Sequence, residues 1–378
     1  MKTNNWQQIR HQLHQYPELS GKEQSTAEFI RLQLESLQPD RLYTRIGGHG
    51  IAACFDSQKP GPTVLFRAEL DALPIEELNC FAHRSVHSGI SHKCGHDGHM
   101  TILLALAAYI TTNLPDFGNA IVLFQPAEET GEGARAVVAD PIFKQLNPDY
   151  CFALHNLPSH PMGLVMIREG SFNCASRGLT IKLTGKTAHA AYPETGISPA
   201  NAVAELIQTL PSIADKLSQE ELVMLTLIHC KLGEPAFGTS PGQAELLATL
   251  RSESDSAMRD LIESVTRQCN TVAQQHQLSV EFQWADIFAA SHNDAECTKR
   301  IENAAFRCGQ PVERLNEPFR WSEDFGAISA TTNGAMFALG AGEMTPQIHN
   351  PDYDFPDELI ATGQQLFADI YRQLLHES

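Results

Sequence analysis

Apolar residues in the first part of the chain switch between a helical and an extended period. Residues 6–16 read as a helix, closed by the turn chemistry of Pro17-Glu18-Leu19-Ser20-Gly21. Ala27, Ile30, Leu34 and Leu37 fall on one helical face within residues 23–37. Strands follow at residues 50–55 and 63–68, the second a near-continuous apolar run of the kind buried on both faces of a sheet. An apolar helix over residues 100–111, a strand at 120–125 and an apolar stretch at 150–154 continue the alternation. This succession predicts an α/β domain with a mainly parallel central sheet flanked by helices.

The pattern changes near residue 176. Residues 179–183 alternate strictly, as a half-exposed strand should. A helix (199–217), two strands (223–230 and 244–250), a helix (254–276) and a strand (279–285) complete a β-α-β-β-α-β order, the ferredoxin-like arrangement. Helices at 295–307 and 357–376 and a strand at 335–339 follow. They form a third domain or complete the first sheet, and we assign them to the first sheet because each half carries polar residues that read as part of one site. The expected domains are therefore 1–176 with 290–378, interrupted by 177–289.

Composition narrows the class. The 378 residues carry 27 Lys+Arg against 45 Asp+Glu, a formal charge of −18. That balance repels phosphate backbones and anionic lipid, so neither nucleic acid nor a membrane surface is an expected partner. The most apolar run, residues 102–110, is far short of the roughly 20 residues of a spanning helix, and residues 1–6 carry no signal-peptide pattern. Nine scattered cysteines, odd in number, point to reduced thiols and a cytoplasmic setting.

The densest chemistry is Ser91-His92-Lys93-Cys94-Gly95-His96-Asp97-Gly98-His99. On a helix, Cys94 and His96 diverge by roughly 200°, whereas a glycine-centred loop lets them converge on one ion. Cysteine with histidine suits zinc, manganese, nickel or cobalt. A polar loop capping the next helix through Asp97 is the bland alternative, and a Cys94 nucleophile with a histidine base is another. Glu128-Glu129 follow an apolar strand, where neighbouring side chains diverge. One can then ligate metal while the other serves as a base; the alternative is a solvated acidic turn. His155 and His349 each end an apolar run, where open α/β sheets form their sites. In Arg67-Ala68-Glu69-Leu70-Asp71, two carboxylates either orient ligand histidines or make a structural turn. His189 alone reads as a surface residue.

Together these residues resemble the metal-dependent amidohydrolases and exopeptidases that include hippurate hydrolase, aminoacylases, N-acetyl amino acid deacetylases and plant auxin-conjugate hydrolases. The matching pieces are residues 11–20, 67–74, 92–99, 125–129, His155, 185–193, 322–325 and 349–351, in the family's order over nearly the whole chain. The resemblance implies a catalytic domain with two divalent metal ions (Zn, Mn, Ni or Co) and an inserted lid that also forms a homodimer. By position, Cys94, His96, Glu129, His155 and His349 would bind the metals and Glu128 would be the general base. His189 would stabilise the oxyanion, in the partner subunit's site; Glu323 and Asp324 fall near the site without a role. The implied reaction is hydrolysis of the amide bond of an N-acyl amino acid, a small-molecule substrate. A dipeptidase or carboxypeptidase of the same architecture, an inactive metal-binding dimer and a cysteine hydrolase are the competing readings.

Three departures stand out. Glu69 replaces the family's usual aspartate, and Lys93 replaces a usually small residue, a cation that favours the Cys94 thiolate if it points inward. Phe237-Gly238-Thr239-Ser240-Pro241 lacks the asparagine of the family's Phe-Asn-x-Ile-Pro pattern, leaving Arg251 as a candidate for the substrate carboxylate.

Overall fold

A computed structural model describes residues 6–218 and 221–377; residues 1–5, where a leader was sought, lie outside them. The chain first builds α1 (Trp6–Gln15), α2 (Gln24–Ser36), β1 (Arg41–Ile46), β2 (Gly50–Asp56), β3 (Thr63–Glu69), α3 (His96–Thr112) and β4 (Asn119–Gln125). It continues through α4 (Gly133–Ala139), α5 (Pro141–Leu146), β5 (Tyr150–Leu157), β6 (Val165–Ile167) and β7 (Gly170–Asn173). α5 starts where the Asp140 side chain accepts the Ile142 N–H and Pro141 sets the first turn.

A second segment follows: β8 (Ala175–Thr184), β9 (Ala188–His189), α6 (Ala200–Leu217), β10 (Val223–Leu232), β11 (Thr239–Ser240), β12 (Gln243–Ser252), α7 (Asp255–Gln275) and β13 (Ser279–Phe288). The chain then runs through β14 (Ser291–Asn293), α8 (Ala295–Arg307), β15 (Val312–Arg314), α9 (Gly326–Ser329), β16 (Asn333–Gly340) and α10 (Glu358–Leu375). Contacts divide it into two compact units. The first holds residues up to 172 with 291–318 and 323–378; the second holds 173–290 with 319–322. Beyond the expected 177–289, the second unit gains residues 319–322 because the main chain there pairs with residues 173–174, the Cys174 N–H donating to the Phe319 carbonyl at 3.0 Å.

The large sheet of the first unit has the order β1-β2-β4-β3-β5-β16-β6-β15. Its centre, β4-β3-β5-β16, is parallel, and antiparallel pairings join β1 to β2, β2 to β4 and β16 to β6. Insertion of β16 between β5 and β6 places the C-terminal segment inside this sheet. α3 is apolar on nearly every side because it is buried on nearly every side, packed against β3, α1 and α10. Gly363 permits that contact, since a Cβ there would lie 2.6 Å from the Ile102 side chain. Each fully buried leucine of α3 contributes roughly 1.5–3 kcal/mol relative to exposure. No helix among the described residues is long and apolar enough to cross a membrane.

In the second unit an antiparallel sheet of order β10-β12-β8-β13 packs one face on α6 and α7. The alternation read at 179–183 is the burial pattern: Leu179, Ile181 and Leu183 are inside. Ser254 caps α7 by accepting the Ala257 N–H. β9 and β11 form a separate two-stranded arm.

Candidate metal centre

β3, β4 and β5 run in the same direction, and their C-terminal ends supply the site, as expected for a parallel sheet. Glu69 ends β3, Glu128 and Glu129 follow β4, and His155 lies near the end of β5. The fourth source differs from the sequence expectation. α3 begins at His96, not at residue 100, so His96, Asp97 and His99 occupy its first turn while Cys94 stays in the loop before it. Gly95 makes this possible: its φ of +102° turns the chain into the helix. A Cβ there would sit 2.1 Å from Asn156 Oδ1.

All five expected ligands converge. Cys94 Sγ lies 3.3 Å from His155 Nε2. His96 Nε2 is 3.8 Å from both Glu128 Oε2 and Glu129 Oε1, and the other oxygen of Glu129 is 3.8 Å from His349 Nε2. Within each of the triads Cys94/His96/His155, Cys94/Glu129/His349 and His96/Glu128/Glu129, the donor atoms lie within 4.8 Å of one another. The donors are also oriented. His96 donates Nδ1–H to the Asp71 carbonyl at 2.8 Å, and His155 donates Nδ1–H to the Asn156 carbonyl at 2.8 Å. Each therefore turns its Nε2 inward. Asp71 in turn accepts from Ser20 Oγ and from the Glu129 N–H.

The electrostatics favour a cation. Burial and the neighbouring Glu323, Glu129 and Asp324 push the Glu128 carboxyl well above its usual range. Burial raises Glu129 to about 7 against the pull of His96. His96 rises to about 10, its burial outweighed by the hydrogen bond to Asp71 and the charge of Glu69. Burial also lifts the Cys94 thiol far above a free cysteine, the reverse of an activated nucleophile. Among the described residues, the buried His96 Nε2 and Glu129 Oε1 have no hydrogen-bond partner. Such orphaned atoms are costly unless something binds them. A mixed S/N/O donor set with both atoms facing one space fits a borderline divalent metal.

Not every histidine of the 91–99 cluster takes part. His99 donates Nδ1–H to Glu69 at 2.7 Å and accepts the Asn156 N–H on Nε2 at 3.2 Å, so both nitrogens are occupied. His92 is buried elsewhere, 6.4 Å from the His14 ring, and burial depresses its pKa to about 3. Lys93 does not face the thiol: Nζ donates to Glu77 at 2.6 Å and to the Tyr353 carbonyl at 2.7 Å, because adjacent side chains point apart. The expectation that it steadies the thiolate is corrected accordingly.

Arg67 lies at the centre of a network that sequence reading left between two accounts. Its guanidinium bonds Glu69, Glu323 (2.9 Å), Asp324 (2.6 Å) and Gln125 (2.9 Å), all buried. Asp324 also accepts from Gln125 Nε2 and the Ala134 N–H. Glu323 and Asp324, placed near the site without a role, thus hold Arg67 and lie beside Glu128. In the second unit, His189 is exposed on β9 and accepts the Ala191 N–H on Nδ1 at 3.0 Å. Arg251, also in that unit, donates to the Arg320 carbonyl and to Ser322 Oγ at 2.8 and 2.9 Å. Gly238 has open space where a side chain would project.

The peptidase family M20/M25/M40 model matches residues 65–373. The chain is 28% identical to N-acetylcysteine deacetylase of Bacillus subtilis over 96% of its length and 94% of that protein's. It is 27% identical to hippurate hydrolase of Campylobacter jejuni, covering 97% and 95%. A Bacillus subtilis structure described as a dinuclear metal-binding peptidase of the M20 family superposes with a TM-score of 0.83 at 26% identity, over 98% of this chain and 97% of that one.

Proposed function

The chain belongs to the peptidase family M20/M25/M40, which makes it a hydrolase, and on that footing we propose that it cleaves the amide bond of N-acyl amino acids with two divalent metal ions. The observation that carries this reading is the meeting of Cys94, His96, Glu129, His155 and His349, from four separate stretches of chain, around His96 Nε2 and Glu129 Oε1, buried atoms with no hydrogen-bond partner among the described residues. These five residues would hold the ions. When bound, divalent cations polarise the scissile carbonyl and acidify water. Glu128, a buried carboxylate beside the donors, takes the proton of the attacking water and delivers it to the leaving nitrogen. The relatives named for deacetylation of N-acetylcysteine and hydrolysis of hippurate support the substrate class.

His189, carried over by resemblance, hydrogen-bonds the oxyanion in the partner subunit's site of a homodimer. His189→Ala should lower kcat about 100-fold or more with metal content unchanged; wild-type kinetics, or a monomer by light scattering, would remove that role. Nine cysteines without a disulfide support a reducing, cytoplasmic setting.

The reading is tested with hippurate, a set of N-acetyl amino acids and simple dipeptides assayed side by side. Activity should concentrate on the N-acyl substrates. It should fall at least about 100-fold after chelation and return with added zinc, manganese, nickel or cobalt. Preferred cleavage of dipeptides would reassign the enzyme to peptide hydrolysis. Activity that survives chelation would favour a Cys94 nucleophile, whose pairing with His155 at 3.3 Å has the reach for it.

A further inference from the structure

Of the five donors, His349 is held least. Its side chain is 50% exposed, against 12% for Glu129. His96 and His155 each have a ring nitrogen fixed by a carbonyl, whereas the ring of His349 makes no hydrogen bond among the described residues. Its φ of +66° lies in the left-handed region, a conformation that persists in a non-glycine residue only when its surroundings impose it. Its direction must therefore come from the main chain of residues 349–354.

That main chain is tied from several sides, and Lys93 contributes twice. The Lys93 carbonyl accepts the His349 N–H at 2.6 Å. Its Nζ, fully buried, donates to the Tyr353 carbonyl at 2.7 Å and to Glu77 at 2.6 Å. Glu77 is itself fixed by His14 at 3.0 Å and by the Ser85 N–H at 2.7 Å. The neighbouring Leu78 N–H donates to Pro351 O, and Asn79 Nδ2 to Tyr353 O. The Tyr353 hydroxyl accepts from Asn156. Lys93 thus joins the loop that carries Cys94 to the loop that carries His349, and its charge is anchored by Glu77.

We propose that Lys93 is a positioning residue whose side chain, locked between Glu77 and the Tyr353 carbonyl, presents His349 to the Cys94/Glu129 side of the metal centre. The inference rests on the five-ligand reading above. A long buried cation here also accounts for the departure from a small residue: the brace supplies from the side chain what the His349 ring lacks. An alanine at this position would leave Tyr353 O and Glu77 short of a donor while the ring of His349 stayed unsupported.

The test is metal affinity, measured by calorimetric titration of zinc into metal-free wild type, Lys93→Met, Glu77→Gln and His349→Ala. Wild type should bind two equivalents. His349→Ala should lose one of them and so mark its step in the titration. Lys93→Met, which keeps a filling stem but no donor, should weaken that same step about 10–100-fold and leave the other within about twofold. In cobalt-loaded protein the thiolate charge-transfer band should shift in Lys93→Met. Unchanged affinities, or equal weakening of both steps with a lower melting temperature, would overturn the proposal while leaving the five-ligand site standing. No metal bound by wild type would overturn the site itself, and this proposal with it. Should Lys93→Met fail to fold, Glu77→Gln decides by the same criterion, since it removes the anchor and spares the donor.

Discussion

Replacement of Glu128 by glutamine should reduce kcat by about 10³-fold or more while two equivalents of metal stay bound. A positioned general base is worth roughly 10²–10⁴ in rate, and glutamine preserves shape while removing the ability to accept a proton. The location of Glu128 makes the experiment clean. The residue is 4% exposed, and its carboxylate shares its surroundings with Glu323 and Asp324. Removing one negative charge from that group relieves repulsion, so the variant should melt no lower than wild type. The proposed division of labour with Glu129 draws on geometry: both carboxylates reach to 3.8 Å from His96, but only Glu129 also directs an oxygen to His349, whereas Glu128 lies with Glu323 and Asp324. Elemental analysis alongside steady-state kinetics checks the point. Loss of an equivalent of metal would make Glu128 a ligand, and near-normal turnover would leave the reaction without its base.

Arg67→Met should be the most destabilising single change in the first unit, costing about 3–5 kcal/mol. The guanidinium is the common partner of Glu69, Glu323 and Asp324, and all four groups have at most 2% of their side chains exposed. Methionine keeps most of the apolar stem but leaves three carboxylates without their cation in a medium that screens poorly. Thermal unfolding should drop on the order of 10 °C. Pairing the change with Glu323→Gln should restore part of the loss, because one of the stranded charges is then gone. A fall below about 1 kcal/mol by denaturant titration would mean that the carboxylates find other partners.

Much of the fold is legible because burial writes itself into periodicity. The second unit was readable at Leu179, Ile181 and Leu183, where every second residue is inside. β1 leaves no periodic signal because its burial pattern barely alternates, with only Ile46 inside. α3 starts four residues before its apolar run because His96, Asp97 and His99 are polar yet buried, and hydropathy reports polarity, not burial. The same limit applies to the site. Residue type points to the whole 91–99 cluster, and it is the resemblance that picks out Cys94, His96, Glu129, His155 and His349, since His99 and His92 are the same residue type in the same motif. In the structure their contacts set them apart, His99 through Glu69 and the Asn156 N–H and His92 by having no hydrogen-bond partner for its ring among the described residues. Lys93 shows the converse. Its position beside Cys94 suggested an effect on sulfur, whereas its side chain reaches residues 16 and 260 positions away.

The placement of β16 between β5 and β6 has a consequence for biosynthesis. A ribosome releases the strands in order of sequence, so β5 and β6 emerge long before the strand that separates them. The second unit, almost entirely one uninterrupted stretch, can complete its fold during that delay. The sheet of the first unit lacks the strand between β5 and β6 until β16 is made, and His349, the last of the five proposed donors in sequence, follows it. If the proposed five-ligand site is right, a partial set of thiol, imidazole and carboxylate groups on the nascent chain would lack a donor and bind an ion below full affinity. On that reading, tight loading would follow closure of the polypeptide around the proposed site.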